Sequence, residues 1–134
     1  MGQLDQFLSD HAEKPFSWSD NNCLGFVRSA LIFMGKDNIP SEWCKGYKSK
    51  TAALRAYKQN LAKYDFKDII EAMDDRFDRI FTLHPRDGMI ASRKSESVMG
   101  YAFGITHNKN CIFVTEKGLR SFSVEAGDMF WRAD

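Results

Sequence analysis

Cys23 is the residue whose type and position in this sequence most directly suggest chemistry. It follows the polar segment SDNN, at residues 19–22, and opens the apolar stretch CLGFVRSALIFM, at residues 23–34. Serine, aspartate and asparagine cap helix N-termini, so we expect a helix to begin at Cys23. The unpaired N–H groups and the dipole of a helix N-terminus favour an anion, and the thiolate is the nucleophilic form of cysteine. Cys23 is therefore a candidate nucleophile.

The same cysteine also fits a structural role. It shares one face of the expected helix with apolar residues that recur at helical spacing, which are Phe26, Val27, Ala30, Leu31 and Met34. A cysteine on such a face usually packs as a small apolar side chain. A nucleophile also needs a base within hydrogen-bond reach, and the three histidines of the chain are the candidates for it.

The segment NCLGFVRSALIFMG resembles the nucleophile helix of the NlpC-type cysteine peptidases, papain-like enzymes that cut peptidoglycan stem peptides. That family shows the pattern D-C-S-G-[FLV]-V, with a glycine that ends the helix. Cys23, Gly25 and Gly35 match this pattern. Asn22 stands where the family has aspartate, and Leu24 stands where it has serine. The resemblance implies a papain-like fold and a nucleophilic role for Cys23.

The second half of the chain follows the order of strands in the same family. HPRDGMIAS, at residues 84–92, resembles the family's R-P-G-D-[LV] segment, and GYAFGITHN, at residues 100–108, resembles its H-V-[GA]-[IL] strand. The pattern from residue 16 onward is still more similar to a group of small phage- and prophage-encoded NlpC-like proteins. The shared segments are FSWS, NNCLGF, KGYKS, TAALRAY, AFGIT, GLRSF and MFW. Since the genes of that group lie among virion and tail genes, the resemblance implies a protein made in the host cytoplasm and assembled into a phage tail with other virion proteins.

The expected catalytic base is missing from this pattern. The family's histidine begins the H-V-G-I strand, and Ala102 occupies that position here, where it cannot accept a proton. His107 is the remaining candidate base. It lies five residues beyond Ala102, so regular alternation places the two side chains on opposite faces of the strand. Only a bulge or a strand end would turn His107 toward Cys23. His84 is a weaker candidate, and His11 lies outside the resemblance.

The sequence therefore predicts a catalytically degenerate structural or interaction module of a phage virion, in which Cys23 is a packing residue. The alternative is an active cysteine peptidase or amidase that cleaves peptidoglycan stem peptides as the phage enters the cell. In that alternative, Cys23 is the nucleophile and His107 the base.

Helical and strand periodicities divide the chain into two halves. Helices are predicted near the N-terminus before Pro15, after residue 22, over residues 51–64 and over residues 66–77. Short β-rich segments follow, separated by the turns NKN and EKG, and the aromatic tail GDMFWRAD is expected to pack against their sheet. We expect one α+β, papain-like domain over residues 1–134, with N-terminal helices packed on a C-terminal antiparallel sheet. Residues 1–15 form a helix outside the resemblance.

Composition narrows the function classes. The 134 residues are 43% hydrophobic and 28% charged, which is typical of a globular domain. Lysine and arginine (19) nearly balance aspartate and glutamate (18), so nucleic acid is not an expected partner, and the locally basic residues 46–63 are interpreted as a solvated helix face. The acidic residues 74–79 are interpreted as a solvated helix end, and the three cysteines are not spaced as a metal site. We expect no metal, no cofactor, no signal peptide and no membrane span.

Overall fold

Four α-helices occupy the N-terminal half of the chain. The computed structural model describes residues 2–134, with residues 2 and 3 described by their backbone only. The helices are α1 (Gly2–His11), α2 (Cys23–Phe33), α3 (Lys50–Tyr64) and α4 (Ile69–Arg76), and Ser41–Trp43 forms a short 3-10 turn. None of the helices within residues 2–134 has the length and apolar character needed to cross a bilayer.

Side-chain caps determine where three of these helices begin. Each of the helices α2, α3 and α4 follows a residue whose side-chain oxygen accepts a hydrogen bond from the backbone N–H three positions later. These residues are Asn22, Ser49 and Asp68. A cap of this kind satisfies one of the unpaired N–H groups of the first turn and typically contributes about 1 kcal/mol. The predicted start of a helix at Cys23 is thus confirmed.

Six antiparallel strands follow the helices and form one sheet. The strands are β1 (Asp78–Ile80), β2 (Ile90–Lys94), β3 (Tyr101–His107), β4 (Asn110–Thr115), β5 (Gly118–Ser123) and β6 (Met129–Arg132). Their order across the sheet is β1-β6-β2-β3-β4-β5. The turn between β3 and β4 has positive φ angles at Asn108 (50°) and Lys109 (67°), which matches the twist of a tight hairpin. The predicted α+β class and both predicted hairpin turns are confirmed.

The main core lies between α2 and one face of the sheet. Phe26, Val27, Ala30 and Leu31 of α2 are buried there. They belong to the same cluster as a set of fully buried strand residues, namely Ile90, Phe103, Ile105 and Trp131. Burying an apolar side chain of this size stabilises the fold by about 1.5–3 kcal/mol. This packing fixes α2, and with it Cys23, over strands β3 and β4.

The opposite face of the sheet holds a second, smaller core. Its buried members are Met89, Ala91, Cys111, Phe113 and Phe130. In a flat sheet, β5 and β6 would be separated by four strand spacings of about 4.8 Å each. The connection between them is residues 124–128, and it contains a turn in which Asp128 N–H donates to Glu125 O at 3.1 Å. Because so short a bent segment cannot cross a flat sheet, the sheet curls around the second core.

The C-terminal tail differs from the prediction. It was expected to pack against the sheet, but it forms strand β6, which lies inside the sheet between β1 and β2. Phe130 and Trp131 point to opposite faces and are both buried, at 1% and 0% exposure. A strand covered on both faces shows no polar–apolar alternation, which is why its sequence did not read as a strand.

Candidate binding pocket around Cys23

A mostly apolar pocket with a volume of about 80 Å³ opens beside Cys23, the first residue of α2. Cys23 itself is partly buried. Twelve residues from five separate segments line the pocket: Phe16, Trp18, Asn22, Cys23, Leu24, Trp43, Tyr47, Ala53, Tyr57, Ser97, Val98 and Met99. Most of them are aromatic or aliphatic. The pocket is thus assembled from loops and helix ends arranged around the N-terminus of α2.

Backbone hydrogen bonds hold two of these segments together. Tyr47 N–H donates to Trp18 O at 2.8 Å, which joins the loop before α2 to the loop before α3. Gly46 makes this approach possible, because a Cβ atom at that position would lie 2.0 Å from Ser19 O. The two loops therefore form one continuous wall, in which Trp18 and Tyr47 are neighbours.

Asn22 connects this wall to α2. Its Oδ1 accepts the helix-capping hydrogen bond from Gly25 N–H at 2.8 Å. Its Nδ2 donates to Lys45 O at 3.3 Å and to Trp18 O at 3.5 Å. A carboxylate could accept the first bond but could not donate the other two. Asn22, at the position where the NlpC pattern has aspartate, thus has a structural function at the edge of the pocket.

The aromatic side chains of the pocket are fixed by one another. The rings of Phe16 and Trp18 meet edge to face, with centroids 4.9 Å apart, and those of Trp43 and Tyr57 do so at 6.5 Å. The hydroxyl of Tyr57 accepts a hydrogen bond from Ile69 N–H at 3.1 Å, which ties α3 to the start of α4. These contacts give the pocket a preformed shape.

Burial dominates the electrostatics of the thiol in the pocket. It raises the pKa of Cys23 above the ordinary value for cysteine, and the nearby backbone N–H groups of Phe103, Leu24 and Cys23 itself offset the increase only in part. Burial also raises the pKa of Cys44 to about 12, against the opposing effect of the Arg28 charge. Desolvation of the thiolate thus outweighs the helix N-terminus, which by itself would lower the pKa of Cys23.

Two further polar side chains of the pocket have partners within the chain. The Ser97 hydroxyl donates to Tyr101 O at 2.8 Å, and the Asn22 amide is bonded as described above. The residues that line the pocket include no histidine, carboxylate or amine. Within residues 2–134, no group of three or more His, Cys, Asp and Glu side chains is placed to hold a metal ion. The arrangement can bind an apolar group but offers no base for proton transfer.

The three histidines all lie outside this pocket. His107 pairs with Asp5 of α1, His11 bonds through Nδ1 to Phe7 O at 2.8 Å, and His84 is exposed in the loop before β2. Cys23 lies near the backbone of Phe103, and His107 is four residues further along the same strand. Four residues of extended strand span about 13 Å. The structure thus does not bring Cys23 and His107 together.

Ala102 does not face Cys23 either. It packs against the second core, on the side of the sheet away from α2, and pairs with Arg93 of β2. The side chains of β3 that point toward α2 near Cys23 are those of Tyr101 and Phe103. Ala102 and His107 lie on opposite faces, as the alternation predicted, but the face that points toward the helices is that of His107. Neither tyrosine nor phenylalanine accepts a proton near neutral pH.

Several pocket residues were not identified from the sequence as part of a site. They are Trp18, Trp43, Tyr47, Tyr57 and Met99. The signal that could have found them is the concentration of aromatic residues in the segments 16–18 and 43–57, which flank the Cys23 helix on both sides.

Comparison with known proteins places the whole chain in one family. A family model described as a domain of unknown function (DUF6950) matches residues 2–133, and the chain belongs to this family. The comparisons with curated proteins and with solved structures find no significant match.

Proposed function

We propose that this chain is a catalytically inactive interaction module with a papain-like, NlpC-like fold. A cysteine at the start of a helix that packs on an antiparallel sheet supports this assignment, together with the sequence pattern around Cys23. The observation that carries the proposal is the surroundings of the thiol, because the residues lining its pocket provide no proton acceptor.

The chemistry of cysteine nucleophiles explains why this observation is decisive. Such an enzyme needs a thiolate and a base that takes the thiol proton and later returns it to the leaving group. Here burial raises the pKa of Cys23, so the thiol keeps its proton at neutral pH. The candidate base His107 is bonded to Asp5 instead. The site therefore lacks the acid–base pair that cysteine nucleophiles of papain-like enzymes use.

We further propose that the protein is a component of a phage virion, located in the tail, with other virion proteins as its partners. This part rests on the resemblance of segments such as FSWS, NNCLGF and KGYKS to small phage-encoded NlpC-like proteins. Mass spectrometry of purified particles from the phage or induced lysogen that encodes the chain tests it. Detection in stoichiometric amounts is expected, and complete absence from the particles would contradict it.

The active peptidase is the second candidate, and the position of Cys23 favours it. The thiol lies at the N-terminus of α2 and borders an open pocket, as a papain-like nucleophile does. In this reading the chain hydrolyses peptidoglycan stem peptides, with a conformational change that supplies a base.

Incubation with purified peptidoglycan separates the two candidates. The wild-type chain and the variant Cys23→Ala are each incubated with sacculi and with soluble muropeptides, and the products are analysed by mass spectrometry. We expect the two proteins to give the same product profile as a buffer control. Release of stem-peptide fragments by the wild type, lost in Cys23→Ala, would establish the peptidase.

A further inference from the structure

We infer that the Cys23 pocket and the basic surface beside it bind an acidic peptide segment that inserts one aliphatic side chain into the pocket. This inference rests on the proposed function, since it names the partner chemistry of the same site. Two separate features carry it: the size and apolar character of the pocket, and the charge of the segment that forms its outer wall.

The pocket suits a single aliphatic side chain. Its volume of about 80 Å³ admits the end of an aliphatic side chain, and the Trp43, Tyr57 and Val98 side chains offer apolar contact. The thiol of Cys23 at the edge is a weakly polar surface that such a group tolerates. Peptide anchors are commonly single apolar side chains that enter preformed pockets of this kind.

The wall of the pocket that contains α3 carries an uncompensated positive charge. Residues 44–64 include no aspartate or glutamate, and five of their six basic residues are exposed and make no ion pair within residues 2–134: Lys45, Lys48, Lys50, Arg55 and Lys58. The sixth, Lys63, pairs with Glu42 at 3.6 Å. The whole chain has a formal net charge of only +1, so this concentration is local.

Two of these cations belong to residues close in the chain to ones that line the pocket. Lys48 directly follows Tyr47, and Lys50 lies three residues before Ala53, on the same side of α3; both Tyr47 and Ala53 line the pocket. The opposite wall carries one cation and one carboxylate, Lys94 and Glu96. A peptide whose aliphatic residue is flanked by carboxylates can therefore place its charges over Lys48 and Lys50.

The ring packing favours a peptide over a single-stranded nucleic acid. Proteins that bind single-stranded nucleic acids stack the bases on exposed aromatic faces along a basic groove. The ring of Trp43 is surrounded by Tyr57, Tyr64 and Phe66 at centroid distances of 6.1–6.5 Å, and it is only partly accessible. Helix α3 itself buries only Ala53, which leaves its basic side free to contact an extended chain.

A random heptapeptide display library tests the inference without assuming a sequence. Selection is run on the immobilised wild-type chain, on the double variant Lys48→Glu/Lys50→Glu, and on a matched control, Arg86→Glu/Lys109→Glu. The control reverses two exposed charges near the His107 end of β3, in loops that do not line the pocket. Two further variants, Ala53→Leu and Met99→Phe, fill the pocket from opposite walls. Thermal melting of each variant checks that it is folded.

We expect the wild type and the control to enrich acidic peptides with one leucine, isoleucine, valine or methionine. Affinity of the selected peptides, measured by fluorescence polarisation, should fall about tenfold in the Lys48→Glu/Lys50→Glu variant and decrease with added salt. Each pocket-filling variant that folds should no longer select peptides with an aliphatic residue.

Three results would overturn the inference. The first is enrichment of peptides that have no acidic residues. The second is an unchanged preference for an aliphatic residue in a pocket-filling variant that folds. The third is tighter binding of a fluorescein-labelled oligothymidine than of the selected peptides. Cysteine-dependent cleavage of the selected peptides by the wild type is a different outcome. It would contradict the proposed lack of catalysis while leaving the recognition chemistry in place.

Discussion

His107 bonds through Nε2 to the carboxylate of Asp5, and this contact ties the end of β3 to α1. The side chain of His107 is 17% exposed, and that of Asp5 is 52% exposed. At the other end of the same strand, the backbone of Phe103 lies near the thiol of Cys23. His107, the candidate base, thus holds α1 against the sheet and lies away from Cys23, the candidate nucleophile.

The first prediction concerns His107→Ala. Because His107 does not reach Cys23, its removal should leave the rate of Cys23 alkylation by iodoacetamide unchanged at every pH. Loss of the partly exposed pair with Asp5 should lower the free energy of unfolding by less than about 1 kcal/mol. Mass spectrometry follows the alkylation, and urea titration gives the stability. An alkylation rate that falls severalfold in His107→Ala would show that the imidazole does act on the thiol.

The second prediction concerns Asn22→Asp, which restores the residue of the NlpC pattern. The carboxylate can still cap α2, but it cannot donate to Trp18 O or Lys45 O, and it places a negative charge beside both carbonyl oxygens. We expect a loss of about 1–2 kcal/mol in the free energy of unfolding, measured by urea titration.

The matched control is Ser49→Asp, at the N-cap of α3. There the side chain only accepts a hydrogen bond, from Ala52 N–H at 3.2 Å, so aspartate should be tolerated with little change. If Asn22→Asp were as stable as Ser49→Asp, the two donated bonds would not matter to the loop that forms the pocket wall.

The third prediction concerns the ion pair that closes the curled sheet. Arg93 of β2 bonds to Asp128 at 2.7 Å, and the Asp128 side chain is only 3% exposed. Arg93→Met leaves this buried carboxylate without its cation, so we expect a loss of about 2–4 kcal/mol by urea titration. Adding Asp128→Asn should recover part of that loss.

Arg132→Met provides the comparison for this variant. Arg132 pairs with Asp78 at 3.3 Å, with both side chains more than half exposed, and its removal should cost less than about 0.5 kcal/mol. Equal losses in the two single variants would indicate that Arg93 is not specifically required to close the sheet.

The fourth prediction is the contribution of Cys111 to an alkaline loss of stability, which adds to those of Cys23 and Cys44, whose pKa values burial also raises. Burial, followed by the negative charge of Asp128, raises the pKa of this thiol to about 11. Above its unfolded pKa of about 8.5, the unfolded chain loses the thiol proton that the folded chain keeps. Ionisation therefore favours unfolding, and stability falls by up to about 1 kcal/mol per pH unit as the pH rises toward the folded value.

Urea titrations between about pH 7.5 and pH 9 measure this loss, in a range that lies below the ordinary tyrosine pKa of about 10. The free energy of unfolding should decline less steeply with pH in Cys111→Ala than in the wild type. The smaller side chain also lowers the stability of the variant, but by the same amount at every pH, so the slopes can be compared. Parallel declines would mean that Cys111 ionises equally easily in the folded and unfolded chains.

Periodicity predicted the helical half of the fold well. The apolar spacing of Phe26, Val27, Ala30 and Leu31 identified the buried face of α2, and all four are buried. The burial of Leu24 was not predicted, because this residue was compared only with the serine of the NlpC pattern. Its side chain lies in the core and is 1% exposed. The first helix ends at His11 and not near Pro15, since helix ends depend on local capping more than on the apolar pattern.

The sheet and the pocket were harder to predict, for two physical reasons. Strand β6 is buried on both faces, so Phe130 and Trp131 gave no alternating pattern. The pocket depends on contacts between distant segments, such as Tyr47 N–H with Trp18 O, and no local pattern encodes which loops meet. The position of Cys23 at a helix N-terminus was local information, and it was predicted correctly.

The pH dependence of alkylation shows whether Cys23 is an activated nucleophile. Iodoacetamide reacts with the folded chain and, in parallel, with the chain unfolded in urea, and mass spectrometry follows each cysteine separately. We expect folded Cys23 to react more slowly than unfolded Cys23, with an apparent pKa above the ordinary value of about 8.5. Faster reaction in the folded chain, with an apparent pKa well below that value, would establish an activated thiolate and overturn the proposed lack of catalysis.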